Sequence, residues 1–471
     1  MSSNHHSAIP LKVVLSIIAT GIMSFCGVIV ETAMNITFPT LMEEFQVTTS
    51  TVQWLTTGYL LMVAIVVPLS ATLKKRFNLK SLFLFANLSF LLGLLIDSFA
   101  PNFSILLLGR VIQGLGTGVA LPLMFNIILE QVPVEKRGTM MGVGTLITAV
   151  APAIGPTFGG IVVSSLGWRY IFVLLLPFIL CSLVIGLKCI QQLHPTQCVS
   201  VDRLSIVFVV ITFVGLIVGF SEFGSKVFLS LAVSGPLLIG VIGLLLFIQR
   251  STKIEHPLID IRVLKVGTFG GHVFAFFVLQ LSTLGMSFIL PNYIQLVNGS
   301  SATVAGLVIL PAAILGAIMS PISGKILDSF GARKPILTGA CFILLSLIIF
   351  TMNISAMKNS LILIVYILYM FGLGLLFGNI MTSGLSQLSV AQQSDGNAIL
   401  NTLQQFAGAT GTSIVSAIIA ISQTSGRGTQ AHLTAIGSRN ALLILTIIMG
   451  ITLFVLFKSV KGRTDVKIKN S

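Results

Sequence analysis

The sequence predicts an all-α membrane protein of fourteen spans, arranged as two six-helix bundles plus two extra transmembrane helices. Three observations carry that prediction. The 471 residues are 55% hydrophobic and only 8% charged, with a mean hydropathy of +1.03; a water-soluble domain of that composition would expose a very large apolar surface. Apolar runs of about 20 residues, long enough to cross a bilayer, recur fourteen times along the chain. Basic residues gather in every second loop.

That last pattern sets the orientation. The net charge is +14, and 21 of the 27 basic residues fall on one side when the amino terminus is placed in the cytoplasm, among them Lys74, Lys75, Arg76, Lys136, Arg137, Arg250, Arg333, Lys334 and Lys458. Five fall on the other side, and Arg110 alone lies within a span. The expectation is a multi-pass protein of the cell's plasma membrane with both termini cytoplasmic, its basic excess directed at anionic lipid and not at nucleic acid. Cys26, Cys181, Cys189, Cys198 and Cys341 show no Cys-x-x-Cys spacing, so neither a metal site nor a disulfide frame is expected. The pair His5 and His6 in the polar leader calls for no metal.

In chain order the first six spans run approximately 11–38, 52–73, 81–100, 103–129, 138–164 and 168–187. The first is too long for a signal-peptide core and lacks a cleavage site, so it reads as a retained span. Two inserted spans, 204–220 and 227–248, lie between charged linkers. Six more follow at 268–293, 302–327, 336–352, 360–383, 398–421 and 440–457. An internal repeat supports the partition: Pro39 and Pro68 recur as Pro291 and Pro321, and a similar loop follows the second proline of each pair, Pro68-Leu-Ser-Ala-Thr-Leu-Lys-Lys and Pro321-Ile-Ser-Gly-Lys-Ile-Leu-Asp. The expected units are therefore an N-terminal bundle (1–193), a linker with the inserted pair (194–266), a C-terminal bundle (267–458) and a basic tail (459–471). Repeated halves characterise secondary transporters, with a binding site near the midplane between them.

The fifth span is the most unusual. It carries Gly144, Pro152, Gly155, Pro156, Gly159 and Gly160 in an otherwise apolar run and is followed by Gly167-Trp-Arg169. Such residues survive in lipid where neighbouring helices approach closely and satisfy the freed backbone. Alongside stand Asn35-Ile-Thr-Phe-Pro39, Leu108-Gly-Arg-Val-Ile-Gln-Gly-Leu-Gly116, His256-Pro-Leu-Ile-Asp-Ile-Arg262, Leu290-Pro-Asn-Tyr-Ile-Gln295, Ala305-Gly-Leu307 with Pro311, and Asn401-Thr-Leu-Gln-Gln405 leading to Gly408 and Gly411. In order and spacing these resemble the fourteen-span drug:proton antiporters of the major facilitator superfamily, the EmrB/QacA type, over nearly the whole chain. The resemblance implies the major facilitator fold and proton-coupled export of lipophilic, cationic compounds by alternating access. Export of an endogenous metabolite or lipid is the alternative reading, and proton symport for uptake a third. Small-molecule substrate, protons and the bilayer are the expected partners; the sequence is silent on accessory proteins.

Glu31 lies about eight residues inside the outer end of span one, on the order of 12 Å deep at 1.5 Å per residue. An ionisable group at that depth is costly and a functional candidate by default. Arg110 has the same depth in span four, so the expected pair is Glu31 as proton acceptor, with Arg110 governing its proton affinity and steadying Gln113 one turn on. The resembled family commonly places an Asp one position earlier, at Val30. Asn35, Gln113, Asn126, Asn292, Gln295, Asn401 and Gln405 are polar groups on apolar spans, expected along a substrate pathway or in helix-to-helix hydrogen bonds; Asn379 joins them. Asp97 and Glu222 stand at outer helix ends, where solvation is expected.

In the second loop copy, Asp328 ends one span while Arg333 and Lys334 open the next, a cytoplasmic latch in which carboxylate, helix end and base meet. The first copy departs from the family pattern, with Lys75 in the place of an acid and Ala71 and Asn78 in the places of glycines. No Gly-x-x-x-x-Gly-Lys-Ser/Thr loop, His-Glu-x-x-His motif or nucleophile elbow is present. The expectation is a carrier driven by an ion gradient, with neither enzymatic activity nor a cofactor.

Overall fold

The computed structural model describes residues 9–192, 202–222, 230–254, 257–354, 357–425 and 428–460. Its helices are α1 (Leu11–Phe45), α2 (Thr49–Val52), α3 (Trp54–Val66), α4 (Ser70–Arg76), α5 (Leu79–Ser98), α6 (Phe103–Gln131), α7 (Val134–Ser165), α8 (Tyr170–Cys189), α9 (Arg203–Glu222), α10 (Leu231–Lys253), α11 (Phe269–Leu296), α12 (Ala302–Phe330), α13 (Arg333–Asn353), α14 (Asn359–Leu385), α15 (Val390–Ser425) and α16 (Gln430–Ser459). Thirteen of the described helices are long and apolar enough to cross a membrane. α7 has 32 residues, and within it Val150–Ser165 forms an apolar segment.

Local chemistry starts and stops these helices. Asn102 and Ser301 accept hydrogen bonds from the backbone N–H groups of Ile105 and Val304, capping α6 and α12. α12 ends at Gly331, whose φ of +79° favours a residue without a Cβ. The sequence reading closes span one at Phe38, but α1 continues through Pro39 to Phe45. Proline removes one backbone hydrogen bond, and a helix wedged among neighbours tolerates that loss. The two loop-copy prolines differ: Pro68 sits in a 3-10 turn, Val67–Leu69, between α3 and α4, whereas α12 runs unbroken past Pro321.

Packing follows the repeat. Within the first six long helices α1 lies against α6, α7 and α8, and α5 against α6 and α8; within the last six α11 lies against α14, α15 and α16, and α13 against α14 and α16. The main contacts between the halves pair α1 with α11, α3 with α15, and α7 with α12. The latter two are the same pairing seen from opposite halves. The inserted pair α9 and α10 packs on itself, and α9 rests on both α3 and α15, astride one seam. At that pair's base Asp202 receives a two-pronged hydrogen bond from Arg250, with Nε to Oδ2 at 2.8 Å and Nη2 to Oδ1 at 2.9 Å. The arginine fork, Ser205 and the Leu204 N–H together hold the Asp202 carboxyl below the usual carboxylate range.

Candidate functional site

On α1 the residues Thr20, Ser24, Gly27, Glu31 and Asn35 recur at three- and four-residue spacing and so share one face. That face points into the bundle. Gly27 accepts a hydrogen bond at its carbonyl from the Tyr59 hydroxyl of α3 (3.0 Å), and a Cβ there would come within 2.7 Å of Thr117 Oγ1 on α6. Asn35 accepts from Thr56 of α3 and donates to Ser287 of α11, each at 3.0 Å. Glu31 lies between them and is the one residue from Ile29 to Phe38 that keeps partial exposure. The residues of α1 on either side of it are buried against neighbouring helices, and Glu31 lies within electrostatic reach of Arg110 on α6.

Arg110 is the cation that Glu31 feels, yet among the described residues no ion pair within 4.0 Å involves Glu31. The guanidinium is fully buried and otherwise occupied. Its Nε donates to the Leu55 carbonyl (3.2 Å), its Nη1 to Gln113 Oε1 (2.6 Å), and its Cζ lies 4.3 Å from the centroid of the Tyr59 ring. Nη2 has no protein partner.

The amide of Gln113 passes the connection on, because Nε2 donates to Asp97 Oδ2 at 2.7 Å. Here the structure corrects the sequence reading: Asp97 is fully buried at the end of α5, not solvated. Two glycines make the burial feasible. A Cβ on Gly109 would meet Asp97 Oδ1 at 1.9 Å, and one on Gly93 would meet Gln113 Cγ at 2.5 Å. The available signal was a small residue four positions before Asp97, in Gly93, and another immediately before Arg110, in Gly109.

The bonds between halves gather toward the end of the bundle away from the chain termini, the far end. Besides Asn35 with Ser287, Gln53 donates to Ser413 (3.0 Å), Thr57 meets Thr412 (3.3 Å), Thr49 donates to Gln423 (2.8 Å) and Gln295 donates to the Ile36 carbonyl (3.2 Å). α7 forms the opposite seam through its glycines and prolines. Gly155 and Gly159 abut Thr32 and Ala33 of α1, and an added Cβ would lie 1.9 Å from Thr32 Oγ1 and 2.8 Å from the Ala33 carbonyl. On the other face Gly160 leaves 2.4 Å to the Ala302 carbonyl, and Gly306 leaves 2.6 Å to the Pro156 carbonyl. Thr157 and Thr303 bond reciprocally to the Gly306 and Gly160 carbonyls, each at 3.1 Å. Gly144 lies nearer the termini, against Phe125, Met124 and Ile128 of α6, while Pro152 is exposed.

The remaining polar positions divide. Asn126 lines a small pocket with Ser70, Lys74 and Leu82, away from Glu31. Asn292 is buried and donates to the Phe288 carbonyl, leaving Oδ1 without a protein partner. Asn401 donates to Asn397, and both Asn401 and Gln405 are partly exposed. Asn379 bonds to the Ser323 and Leu375 carbonyls, tying α14 to α12. In the loops, the side chains of Asp328, Lys75 and Ala71 lie outside the described residues. The Arg333 guanidinium sits 5.0 Å from the Phe457 ring of α16, and Lys334 5.5 Å from the ring of Phe330. In the first copy Lys74 pairs with Glu130 at the end of α6, 2.5 Å away, so that loop draws a carboxylate from another helix. At the far end Glu44 of α1 receives Trp168 Nε1 (2.6 Å) and Arg169 Nη1 (2.9 Å), which places the Gly-Trp-Arg segment as a clasp between α8 and α1.

Comparison with known proteins agrees with this architecture. The sequence profile of the Major Facilitator Superfamily matches residues 20–412. The lincomycin resistance protein LmrB of Bacillus subtilis (strain 168) is 38% identical over 415 residues, covering 88% of this chain and 86% of the relative. A multidrug resistance protein B homolog of Mycobacterium tuberculosis (strain CDC 1551 / Oshkosh) is 28% identical, covering 82% of this chain and 73% of the relative. Among solved structures, a bacterial homologue of the human lysosomal transporter Spinster superposes with a TM-score of 0.68 at 13% identity, over 96% of this chain and 98% of that one. Its likeness concerns the fold. The all-helical architecture, the spans and the profile match together show that the chain belongs to the Major Facilitator Superfamily, as a multi-pass membrane transporter of small molecules.

Proposed function

We propose that the protein is a proton-driven efflux transporter of the fourteen-span EmrB/QacA type, exporting lipophilic, cationic compounds across the plasma membrane. In this reading α7 is the fourteenth span, both termini are cytoplasmic and the far end is the outer face. The names of its relatives, lincomycin and multidrug resistance proteins, support the substrate class. The observation that carries the coupling is Glu31, a partly exposed acid on the inward face of α1, beside a buried arginine that does not pair with it directly.

Such an acid can take either a proton or a cation. A substrate cation reaching Glu31 from the cytoplasmic side displaces its proton to that side. After the halves rock, a proton arriving from outside takes the carboxylate back and releases the cation. With one proton entering for each monovalent cation that leaves, no net charge crosses the membrane, so the pH difference and not the electrical potential drives the export. α7 suits the rocking, because its glycines bring backbone close to backbone on both faces, against α1 on one side and α12 on the other.

The test uses everted vesicles with a preformed pH gradient. Addition of ethidium or lincomycin should dissipate the gradient with the wild-type protein, and Glu31→Gln should abolish that response while the protein still reaches the membrane. Normal coupling in Glu31→Gln would reject the assignment, and movement of substrate in the same direction as protons would replace export by symport.

A further inference from the structure

The geometry points to Asp97 as a second protonatable site, one that shares a single proton with Glu31 across the Arg110–Gln113 bridge. This deepens the proposed reading and rests on Glu31 being the coupling acid.

The first support is the charge count. Among the described residues, the interior of the N-terminal half holds one fixed cation, Arg110, and two carboxyls, Glu31 and Asp97. With both acids ionised the cluster carries a net negative charge, unfavourable around a buried site such as Asp97. One added proton makes it neutral.

The second support is the unequal hydrogen bonding. Asp97 is fully buried and accepts one hydrogen bond, from Gln113; its Oδ1 has no protein partner, and neither does Arg110 Nη2. An anion left with a bare oxygen in a dry site is poorly solvated, and a proton on that oxygen removes the deficit. Oδ1 occupies the slot that Gly109 leaves open, with the Gly93 carbonyl on the same slot. Glu31 has the complementary character: it is partly exposed, so it is the member that exchanges with solvent or substrate.

The third is the wiring. Gln113 accepts from Arg110 through Oε1 and donates to Asp97 through Nε2, so a change of charge on Asp97 is felt at the guanidinium and through it at Glu31. The groups around Asp97 leave few other influences. Arg110 of α6 is the charged group that acts on Asp97, and Arg110 is itself acted on by Tyr59 of α3 and Glu31 of α1, while Arg169, preceding α8, is engaged by Glu44 and the Ala100 carbonyl beyond the end of α5. Two acids joined this way titrate as a pair. A cation bound at Glu31 replaces the shared proton and the cluster stays neutral. Without Asp97 that balance is lost, since Arg110 and Glu31 already neutralise each other.

The experiment measures proton release from the purified full-length protein in lipid, using tetraphenylphosphonium, a lipophilic cation with no titratable group, and a pH-indicator dye. The wild type is expected to release about one proton per bound cation near neutral pH. Asp97→Asn, which keeps the size and the acceptor for Gln113, is expected to release almost none and to bind the cation at least tenfold more weakly. Retained release in Asp97→Asn together with its loss in Glu31→Gln would overturn the role of Asp97 and leave the Glu31 reading standing. Retained release in Glu31→Gln would instead remove the Glu31 reading, and the shared proton with it. Should Asp97→Asn not fold, Gln113→Leu removes only the bridge: the pH profile of release is expected to move, and an unmoved profile overturns the proposal.

Discussion

The two halves of the bundle share a packing scheme but differ in what lies at their centres. Seven residues into α6 stands Arg110, joined to Gln113 and Asp97 and close to Glu31; seven residues into α14 stands Tyr366, its ring 5.8 Å from Tyr369, whose hydroxyl meets Ser282 of α11 at 2.9 Å. Among the described residues, the fully buried acid and arginine side chains, Asp97 and Arg110, both belong to the first half. Duplication preserved the helix contacts and not the charges. A repeated scaffold thus supplies the seams along which two halves can move, while, among the described residues, the buried acid and arginine stand in the first half.

The sharpest way to break this comparison is to remove the cation. Arg110→Leu should destabilise the protein by about 3–5 kcal/mol, because Gln113, the Leu55 carbonyl and Asp97 lose their anchor. Tyr369→Phe in the other half deletes one hydroxyl bond and should cost about 1 kcal/mol. Thermal unfolding of both variants in detergent checks the ranking, and equal losses would erase the distinction. Next in size is the seam. Gly160→Leu forces a side chain against the Ala302 carbonyl and should reduce transport at least tenfold, while Gly450→Ala, with nothing within 4 Å of the added carbon, should leave transport unchanged.

Gly109→Ala sharpens the comparison within the charged half. Its methyl would lie 1.9 Å from Asp97 Oδ1, so the acid or the helix has to shift, at a cost of about 1–3 kcal/mol read as a lowered Tm. The smallest effect belongs to Asp202, at the base of the inserted pair. Its folded carboxyl is held below the ordinary value of 3.8, so its stabilisation is present above that value and is lost as pH falls through the lower folded one. Asp202→Asn should lower Tm slightly at neutral pH and flatten the decline below about pH 4, whereas variants at the charged centre should leave that acid limb in place.

Much of this was readable in the sequence because lipid imposes simple rules. A span needs about 20 apolar residues, and an acid or an arginine within one is conspicuous, so Glu31, Arg110 and the glycines of α7 announce themselves. Asp97 did not, since one residue from the end of α5 an acid normally reaches water; its burial depends on Gly93 and Gly109, which lie on different helices and whose joint effect appears only when the two pack. Pairing across the halves was hidden for a related reason. Thr57, Ser287, Thr412 and Ser413 are hydroxyl residues of a kind common in membrane helices, where each can also bond to its own backbone, so nothing local marks them as contacts between halves. Lys74 found its partner in Glu130 of α6, beyond the reach of any comparison of the two loop copies.

The far-end closure has one more consequence. Its described bonds between halves run through alcohols, carboxamides and backbone carbonyls, with no formal charge on either side. Each such bond contributes about 1 kcal/mol, and dissolved ions screen charges, not neutral dipoles. The hold between the halves at that end is therefore spread over several small contributions, and its strength should be the same in brine as in dilute buffer.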